Sequence, residues 1–553
     1  MSEKSTDSDL ERGSHIQPPQ HHHGPSVSWF RLVYDQALVT PEVQNWRYAG
    51  SGTEEYPFVV VWIDNDPRNP MTWPDWQKWC LVALVSIATL AVAFVSSAYT
   101  GGLSEVIVQF QTSQLIVTLG VSLFVLGFAI GPLMWAPMSE IFGRQVLFIG
   151  TYAALTAFNA GAAGAQNITT LLLMRFFAGS FGSSPLTVCF TLPRSCLFSS
   201  LKTNVYLQNA GGIIADMFDA DQRGLAMTFF ASAPFLGPVI GPIVGGFAGE
   251  TIGWRWVEGI MAIFTGILWI AGSLLIPETY APVLLRKRAR ALEKANPGKI
   301  YKTRAEIASG PVQFVSVFST ALIRPWKLLF GEPIVLMLSI YMAIIYGTLY
   351  LLFAAFPIVY QQKRGWSPGI GGLAFLGVAV GMLFAIVYCL WDNKRYKRVA
   401  AANNGNAPPE ARLPMSMVGA CALPIGLFWF AWTNSPSVHW MASIAAGAPF
   451  GFGMILVFLG VMNYLIDAYT ICAASALAAN SVLRSLFGMA FPLFTSYMYA
   501  NLGIHWASCI PAFLALMCLP MPFLFYKFGP NVREKCKFAA ESAAFMQKMR
   551  EGR

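Results

Sequence analysis

The stretch GPLMWAPMSEIFGRQ, residues 131–145, decides the fold. It begins inside an apolar run that covers residues 115–137, and it ends in polar residues. After a glycine–proline pair come the acid Glu140, then Gly143 and Arg144. A tight turn with an acid and a base, placed at the end of a long apolar run, suits the surface of a membrane. The stretch therefore predicts a short loop between two membrane-spanning helices.

The composition agrees with a membrane protein. Of 553 residues, 55% are hydrophobic and only 12% are charged, whereas about a quarter are charged in a typical soluble domain. Apolar runs of about 20 residues recur, which is the length of helix that crosses about 30 Å of hydrocarbon. They lack the period-two alternation of a lipid-facing barrel. We predict an all-α membrane protein with twelve transmembrane helices, near 79–100, 115–137, 145–165, 169–187, 224–248, 255–276, 333–357, 368–391, 415–433, 438–466, 473–500 and 504–527.

Basic residues are distributed unevenly between the two sides of the predicted helices. The loop 277–330 contains ten Lys or Arg, and seven more follow from Lys527 onwards. The predicted outer loops together contain three, namely Arg255, Lys363 and Arg364. Because cytoplasmic loops are enriched in Lys and Arg, this asymmetry places both termini in the cytoplasm. It also accounts for the net charge of +9 without a nucleic-acid partner.

Six predicted helices lie on each side of the basic loop. The sequence PETYAPVLLRKRARALEKAN at the start of that loop predicts a short amphipathic helix along the inner membrane face. The predicted parts of the chain are a largely disordered cytoplasmic N-terminal tail (1–70), a first six-helix half (71–276), the cytoplasmic central loop (277–330), a second six-helix half (331–527) and a cytoplasmic C-terminal tail (528–553).

Arg175, in LLLMRFFAGS (171–180), lies inside the fourth apolar run. A guanidinium at membrane depth is costly, so such a residue is a functional candidate that should face a central cavity. A structural anchor bonded to backbone carbonyls is the alternative.

A glycine- and proline-rich segment, APFLGPVIGPIVGG (233–246), occupies the fifth run. Glycines four residues apart share one helix face and allow close approach of a neighbour, and each proline removes a backbone hydrogen bond. Helix packing alone would also explain the pattern. The residues concerned are Gly237, Pro238, Gly241, Pro242, Gly245 and Gly246.

Together, these three segments resemble motifs of the major facilitator superfamily, and in particular of its fungal twelve-span drug:proton antiporters. The resemblance covers roughly residues 60–530. It implies two six-helix halves with nested inverted repeats and a substrate site near the midplane. Glu140 stands where the family usually has Asp, and Gln145 stands where it has a basic residue, which weakens the basic cluster of the loop.

The resemblance also implies roles for single residues. Arg175 would assist proton coupling, and the glycine–proline segment is the signature that separates exporters from importers in the family. The residues implied in an inner gate are Glu140, Arg144, Asp216 and Arg223. A generic cytoplasmic loop is the alternative for the first motif.

Polar and aromatic residues in the second half are candidates for a substrate cavity, because aromatic faces suit hydrophobic or cationic ligands. Packing or lipid-facing roles are the alternative for the aromatic residues. Arg484 lies about 18 Å into the eleventh helix at 1.5 Å per residue, too far from Asp467 to pair with it. The cavity candidates are Tyr341, Tyr346, Tyr350, Asn463, Asn480 and Arg484.

Residues 188–208, VCFTLPRSCLFSSLKTNVYLQ, interrupt the predicted fourth helix. They lack a helical apolar stripe and include Pro193, Arg194 and Lys202. Twenty-one residues correspond to 63 nucleotides, and the codons of Val188 and Gln208 fit the ends of an intron. We therefore predict an unspliced intron that the mature protein lacks; a true insertion is the alternative.

The predicted function is proton-coupled export of small hydrophobic or amphipathic compounds, such as drugs, toxins or secondary metabolites. The alternatives are an uptake carrier or facilitator, and a transport-inactive product of the interrupted helix. We expect no enzyme activity, no metal site and no cofactor, since the proton gradient would supply the energy. The expected partners are a small-molecule substrate, protons and the lipid bilayer, with no nucleic acid, for a monomer in the plasma membrane. The phosphate-binding loop GxxxxGK[ST] of an ATP-driven transporter is missing from the sequence.

Overall fold

The structure is a computed structural model that describes residues 27–185, 212–218, 220–310, 314–403 and 407–551. The predicted intron segment 188–208 lies outside the described residues, as does the chain before residue 27. Side chains of a few residues inside helices, Arg223 among them, are also outside this description.

Twelve apolar helices form the body of the described chain, which confirms the all-α prediction. By length and composition, ten helical stretches could cross a membrane, and the last of them, Ala473–Lys535, is long enough for two crossings. A shorter apolar helix, Ile168–Gly182, completes the set. We label the first ten helices α1 Asp75–Ala98, α2 Gln114–Phe142, α3 Arg144–Ala163, α4 Ile168–Gly182, α5 Ala220–Ile252, α6 Trp254–Leu275, α7 Pro333–Phe356, α8 Phe375–Ala402, α9 Leu413–Thr433 and α10 Gly447–Ala468.

The last two helices are joined end to end. The stretch Ala473–Cys518 is helical except at Gly503, where φ is 72°. A positive φ suits glycine and turns the chain, so α11 precedes this residue and α12 follows it. A further helix, Pro520–Lys535, continues towards the C-terminus.

Close packing of α5 against α1 follows from the glycines of the 233–246 segment. A Cβ on Gly241 would lie 1.9 Å from Ser97 Oγ, and a Cβ on Gly245 would lie 2.0 Å from the carbonyl oxygen of Ala98. Such distances exclude any side chain, so the two backbones touch only because glycine is present. Gly237 makes the same kind of approach to Leu90.

The opposite face of α5 meets the second half of the protein. A Cβ on Gly246 would lie 2.6 Å from the carbonyl oxygen of Pro368, which begins the short helix Pro368–Gly372 before α8. The backbone N–H of Gly369 donates to Glu250 Oε2 at 3.1 Å. These contacts join the outer ends of the two halves, and they use the glycines that the sequence singled out.

Residues 27–70 form defined elements, whereas the prediction was of a largely disordered tail over 1–70. This N-terminal segment contains the helices Trp29–Tyr34 and Pro41–Asn45 and the strand β1, Phe58–Val60. This strand pairs in parallel with β2, Tyr301–Thr303, in the central loop. The small sheet is an addition to the predicted all-α fold. It went unpredicted because its two strands are more than 240 residues apart and each is only three residues long.

The predicted amphipathic helix is present at Ala281–Ala295, but its apolar side faces protein. Leu284 and Leu292 are buried, and Arg288, between them on the same side, forms a buried ion pair with Asp66 of the N-terminal segment. Residues four apart share a helix face, so this arginine belongs to the buried side, whereas the prediction had placed all the basic residues on the polar one. The N-terminal segment therefore occupies the place that we had assigned to the membrane.

Candidate functional site

A buried ion pair lies at the centre of the first half. Arg175 on α4 and Glu258 on α6 are separated by 3.1 Å between Nη1 and Oε1, and each side chain is only 1% exposed. The sequence analysis selected the arginine but missed the acid. Glu258 was detectable by the same criterion, because it is the one acid within the sixth apolar run.

The Arg175 guanidinium also binds three backbone carbonyl groups. Nε donates to Gly120 on α2 at 3.2 Å, and Nη2 donates to Val95 and Ser96 on α1 at 3.1 and 3.3 Å. One side chain thus joins α1, α2, α4 and α6. We predicted that it would face a central cavity; its side chain is 1% exposed and lies among these four helices. The carbonyl bonds match the alternative of a structural anchor, so the role in coupling stays a prediction.

A polar path leads from this pair to the second half. The Ser96 hydroxyl lies 2.9 Å from the Tyr350 hydroxyl on α7. The Tyr346 hydroxyl, one turn earlier, donates to the Tyr350 hydroxyl at 3.4 Å. Because the Ser96 carbonyl accepts from Arg175, a continuous chain of polar contacts connects the ion pair with the interface between the halves.

Arg484 on α11 lies at the far end of this path. Its guanidinium carbon is 4.7 Å from the ring centre of Tyr346 and 5.1 Å from that of Phe458 on α10. Phe458 in turn meets Phe235 of α5 edge-on, with ring centres 4.3 Å apart. Rings of α7 and α10 therefore flank the guanidinium, and α5 of the first half packs against the second of these rings. The sequence had proposed Arg484, Tyr346 and Tyr350 as cavity residues, and the structure brings these three together.

The other three predicted cavity residues lie elsewhere. Asn480 donates to Ser339 Oγ at 3.3 Å, inside the second half. Tyr341 is buried, and five residues before Tyr346 it lies on a different side of α7. Asn463 is half-buried, and among the described residues its side chain has no hydrogen-bond partner. They were grouped by polarity and depth, and neither property fixes the direction in which a helical side chain points.

The predicted inner gate is centred on a second buried ion pair. Arg144 Nε lies 2.9 Å from Asp216 Oδ2, with side chains 2% and 7% exposed. Thr279 Oγ1 also donates to this carboxylate, at 3.4 Å. Burial raises the pKa of Asp216 to about 6, although Arg144 acts in the opposite direction. The pair joins the start of α3 to the short helix Gly212–Met217.

Glu278, at the start of the central loop, contacts the residues of the predicted gate, and the sequence analysis missed it. Its carboxylate accepts from the backbone N–H groups of Arg144 and Gln145, both at 3.1 Å, and so caps the N-terminus of α3. It approaches this closely because the preceding residue is Gly143, with φ 98° and a virtual Cβ only 2.2 Å from Glu278 Oε2. The motif PETYAP was visible in the sequence, but its acid had no assigned partner.

Two predicted gate residues remain to be placed. Glu140 is half-buried in the last turn of α2. Burial raises the pKa of the Tyr280 hydroxyl, and the neighbouring Glu140 carboxylate raises it further. Arg144 stacks on the same tyrosine, with 4.9 Å between its guanidinium carbon and the ring centre. Arg223 belongs to α5, but its side chain lies outside the described residues.

Comparison with known proteins agrees with this architecture. Residues 197–492 match the family model described as the Major Facilitator Superfamily. The chain is 65% identical over 523 residues to the "MFS-type efflux pump MFS2" of Trichophyton rubrum, covering 95% of this chain and 84% of the relative. The chain belongs to the major facilitator superfamily. It is accordingly a multi-pass membrane transporter for small molecules.

Other relatives and solved structures point the same way. The "Major facilitator superfamily multidrug transporter mdrA" of Aspergillus fumigatus is 61% identical over 525 residues, covering 95% of this chain and 83% of that protein. The human organic anion transporter MFSD10 (TETRAN) matches with a TM-score of 0.53 at 14% identity, over 81% of this chain and 100% of that structure. The proton:xylose symporter XylE matches with a TM-score of 0.56 at 15% identity, over 82% of this chain and 96% of that structure. The two structural likenesses show the fold alone.

The repeat structure of the superfamily is visible in the gate. Arg412, just before α9, pairs with Asp467 at the end of α10, with 3.0 Å between Nε and Oδ2. In the first half the corresponding pair is Arg144, at the start of α3, with Asp216 of the short helix Gly212–Met217. A separate pair, Arg395 with the buried Asp392, lies within α8.

Proposed function

We propose that this chain is a proton-coupled efflux transporter that exports small hydrophobic or amphipathic compounds. The direction of transport is supported by two relatives, one named an efflux pump at 65% identity and one named a multidrug transporter at 61% identity. The proton coupling rests on one observation, the fully buried Arg175–Glu258 pair. When a carboxylate in the apolar interior takes up a proton, the net charge buried in the first six-helix half changes.

Glu258 is the proton acceptor in this proposal. Its Oε2 atom is buried and has no hydrogen-bond partner among the described residues, so a proton can be added there without displacing an existing bond. Protonation removes the negative charge that faces Arg175. Because a buried charge is stable only with a partner, the guanidinium then needs a new one.

The conformational change follows from the contacts of Arg175. This residue binds the α1 carbonyl of Ser96, whose hydroxyl meets Tyr350 of the other half. Movement of the guanidinium after protonation therefore changes a contact across the interface on which the halves rock. Proton entry from outside and release to the cytoplasm would drive the alternation between outward-open and inward-open states.

The setting of the proposed activity follows from the charge distribution. We place the transporter in the plasma membrane with both termini in the cytoplasm, since Lys and Arg concentrate in the central loop and the C-terminal tail. It would act as a monomer, without enzyme activity or a cofactor, and take its energy from the proton gradient.

Expression in an efflux-deficient yeast strain tests the proposal. The full chain should lower the intracellular level of several hydrophobic test drugs and raise resistance to them. Glu258→Gln, which imitates the protonated acid, should abolish this export at normal surface expression. Glu293→Gln, a change of the same type at an exposed residue of the central-loop helix, is the control. Increased drug accumulation would instead favour an uptake carrier, and no effect with any drug would favour a transport-inactive product.

A further inference from the structure

Arg484 is a half-buried cation that has no acid beside it in the part of the chain that the structure describes. It lies eleven residues after Ala473 (484 − 473), or about 17 Å into α11 at 1.5 Å per residue. Among the described residues no carboxylate is within ion-pair distance of its guanidinium, whereas Arg175 and Arg144 each have one. Its Nε atom is buried and makes no hydrogen bond to any residue that the structure describes.

Aromatic rings flank Arg484 at the boundary between the two halves. Tyr346 and Phe458 offer their ring faces, and Phe235 brings in the opposite half. Transporters with this kind of repeat bind substrate near the midplane, at the boundary between the repeats. A flat apolar group could lie against these rings, and the Tyr350 hydroxyl is within reach through Tyr346.

The charge of the site decides which ligands it favours. Removing a guanidinium from water is expensive, and two aromatic faces compensate only part of that cost. The guanidinium fork matches a carboxylate, which it can bind through two parallel hydrogen bonds. A cationic ligand would instead meet an unbalanced positive charge.

We propose that Arg484 is the anion-binding group of the central site, and that the compounds bound there are hydrophobic aromatic acids in their anionic form. This rests on the proposed export function and deepens it by naming the substrate class. The aromatic residues alone would accept hydrophobic or cationic ligands. The positive charge of Arg484 disfavours the cationic ones.

Three probes with one ring system test the charge preference. 1-Naphthoate, 1-naphthamide and 1-naphthylmethylamine are anionic, neutral and cationic at pH 7. Binding of each to the purified full-length protein in detergent is measured by the shift of its thermal unfolding midpoint across a concentration series. The wild type should bind naphthoate most tightly. Arg484→Gln should weaken naphthoate binding about thirtyfold or more, as expected when one partner of a buried charge pair is removed, and leave naphthamide binding nearly unchanged.

Two further variants separate the local effect from general ones. Arg484→Lys keeps the charge but loses the fork, so it should retain part of the naphthoate preference. Lys363→Gln removes the same charge at an exposed outer residue and should behave as the wild type. If Arg484→Gln does not fold, the ranking of the three probes in the wild type and in Arg484→Lys still shows whether the site prefers the anionic ligand.

Several results would overturn the inference. These are equal binding of acid and amide, tighter binding of the amine, an unchanged naphthoate affinity in Arg484→Gln, or no naphthoate binding at millimolar concentration. Export assays in yeast keep the two proposals apart. Export of neutral or cationic drugs alone leaves the transporter proposal standing and removes this one, whereas failure to export any compound contradicts the transporter proposal itself.

Discussion

Replacing Asp216 by Asn should open the cytoplasmic side of the transporter. The change keeps the shape of the side chain but leaves the Arg144 guanidinium, which is 2% exposed, without its counter-charge. Removing one partner of a buried pair costs about 3–5 kcal/mol, and each 1.4 kcal/mol is a factor of ten. The balance between the closed and open inner gate should thus shift by about a hundredfold to a few thousandfold. Because Asn still accepts a hydrogen bond, we expect the lower end.

The same pair should respond to cytoplasmic pH. Burial raises the pKa of Asp216 to about 6 from its ordinary value of 3.8, so it is ionised at pH 7.5 and protonated at pH 5. Acidification should therefore break the pair and open the gate.

The same pKa shift acts on the stability of the fold in the other direction, because acidification favours the folded state. A raised carboxyl pKa means that the folded state binds the proton more tightly, so this group stabilises the fold below pH 4 and loses that contribution as pH rises through 6.

Thiol labelling measures the opening. A single cysteine is placed on the cavity side of α10, in a background in which the native cysteines are replaced, and its reaction with a membrane-impermeant reagent is followed in inside-out vesicles. Labelling should be much faster in Asp216→Asn than in the parent at pH 7.5. It should rise on acidification in the parent alone. Equal rates in both proteins at both pH values would refute the gate and leave the pair as a structural connector.

Three other changes have defined outcomes. Arg175→Ala should abolish drug resistance at normal surface expression and Arg175→Lys should restore only part of it; full activity of the alanine variant would rule out an essential charge. Asp66→Asn leaves Arg288 buried without its acid and should lower stability by about 3 kcal/mol or more, measured as a lower unfolding temperature of the purified protein, and an unchanged temperature would mean that the N-terminal segment adds nothing to the fold. Sequencing of the messenger RNA should show that Thr187 is followed directly by Asn209, and regular presence of codons 188–208 would refute the intron.

The fold was predictable because the membrane imposes it. Each crossing needs about 20 apolar helical residues, so composition and run length alone located the twelve helices, most of them to within about five residues at either end. The exceptions besides the interrupted fourth are α8, which ends 11 residues later than predicted (402 − 391), α10, which begins nine residues later (447 − 438), and α12, whose helical stretch ends nine residues earlier (527 − 518). Short-range features were equally visible, such as the turn at Gly143 and the glycine face of α5. These depend on residues that are close in sequence.

The rest of the site depends on contacts between distant residues. Glu258 lies 83 residues from Arg175, and Asp66 lies 222 residues from Arg288. No local pattern links either pair. The direction of a side chain was a second obstacle, since Tyr341 and Tyr346 share one helix but face different neighbours. For Glu258 a signal did exist, and a search for acids in every apolar run would have found it.

Proton movement during export is the most direct test of the central claim. The purified protein is reconstituted into liposomes with a pH-sensitive dye inside, and an exported drug is added under a proton gradient. We predict that drug and protons cross in opposite directions, that collapse of the gradient by a protonophore stops net drug movement, and that Glu258→Gln moves no protons. Drug transport that continues at the same rate without a gradient, or proton movement that survives in Glu258→Gln, would contradict the account.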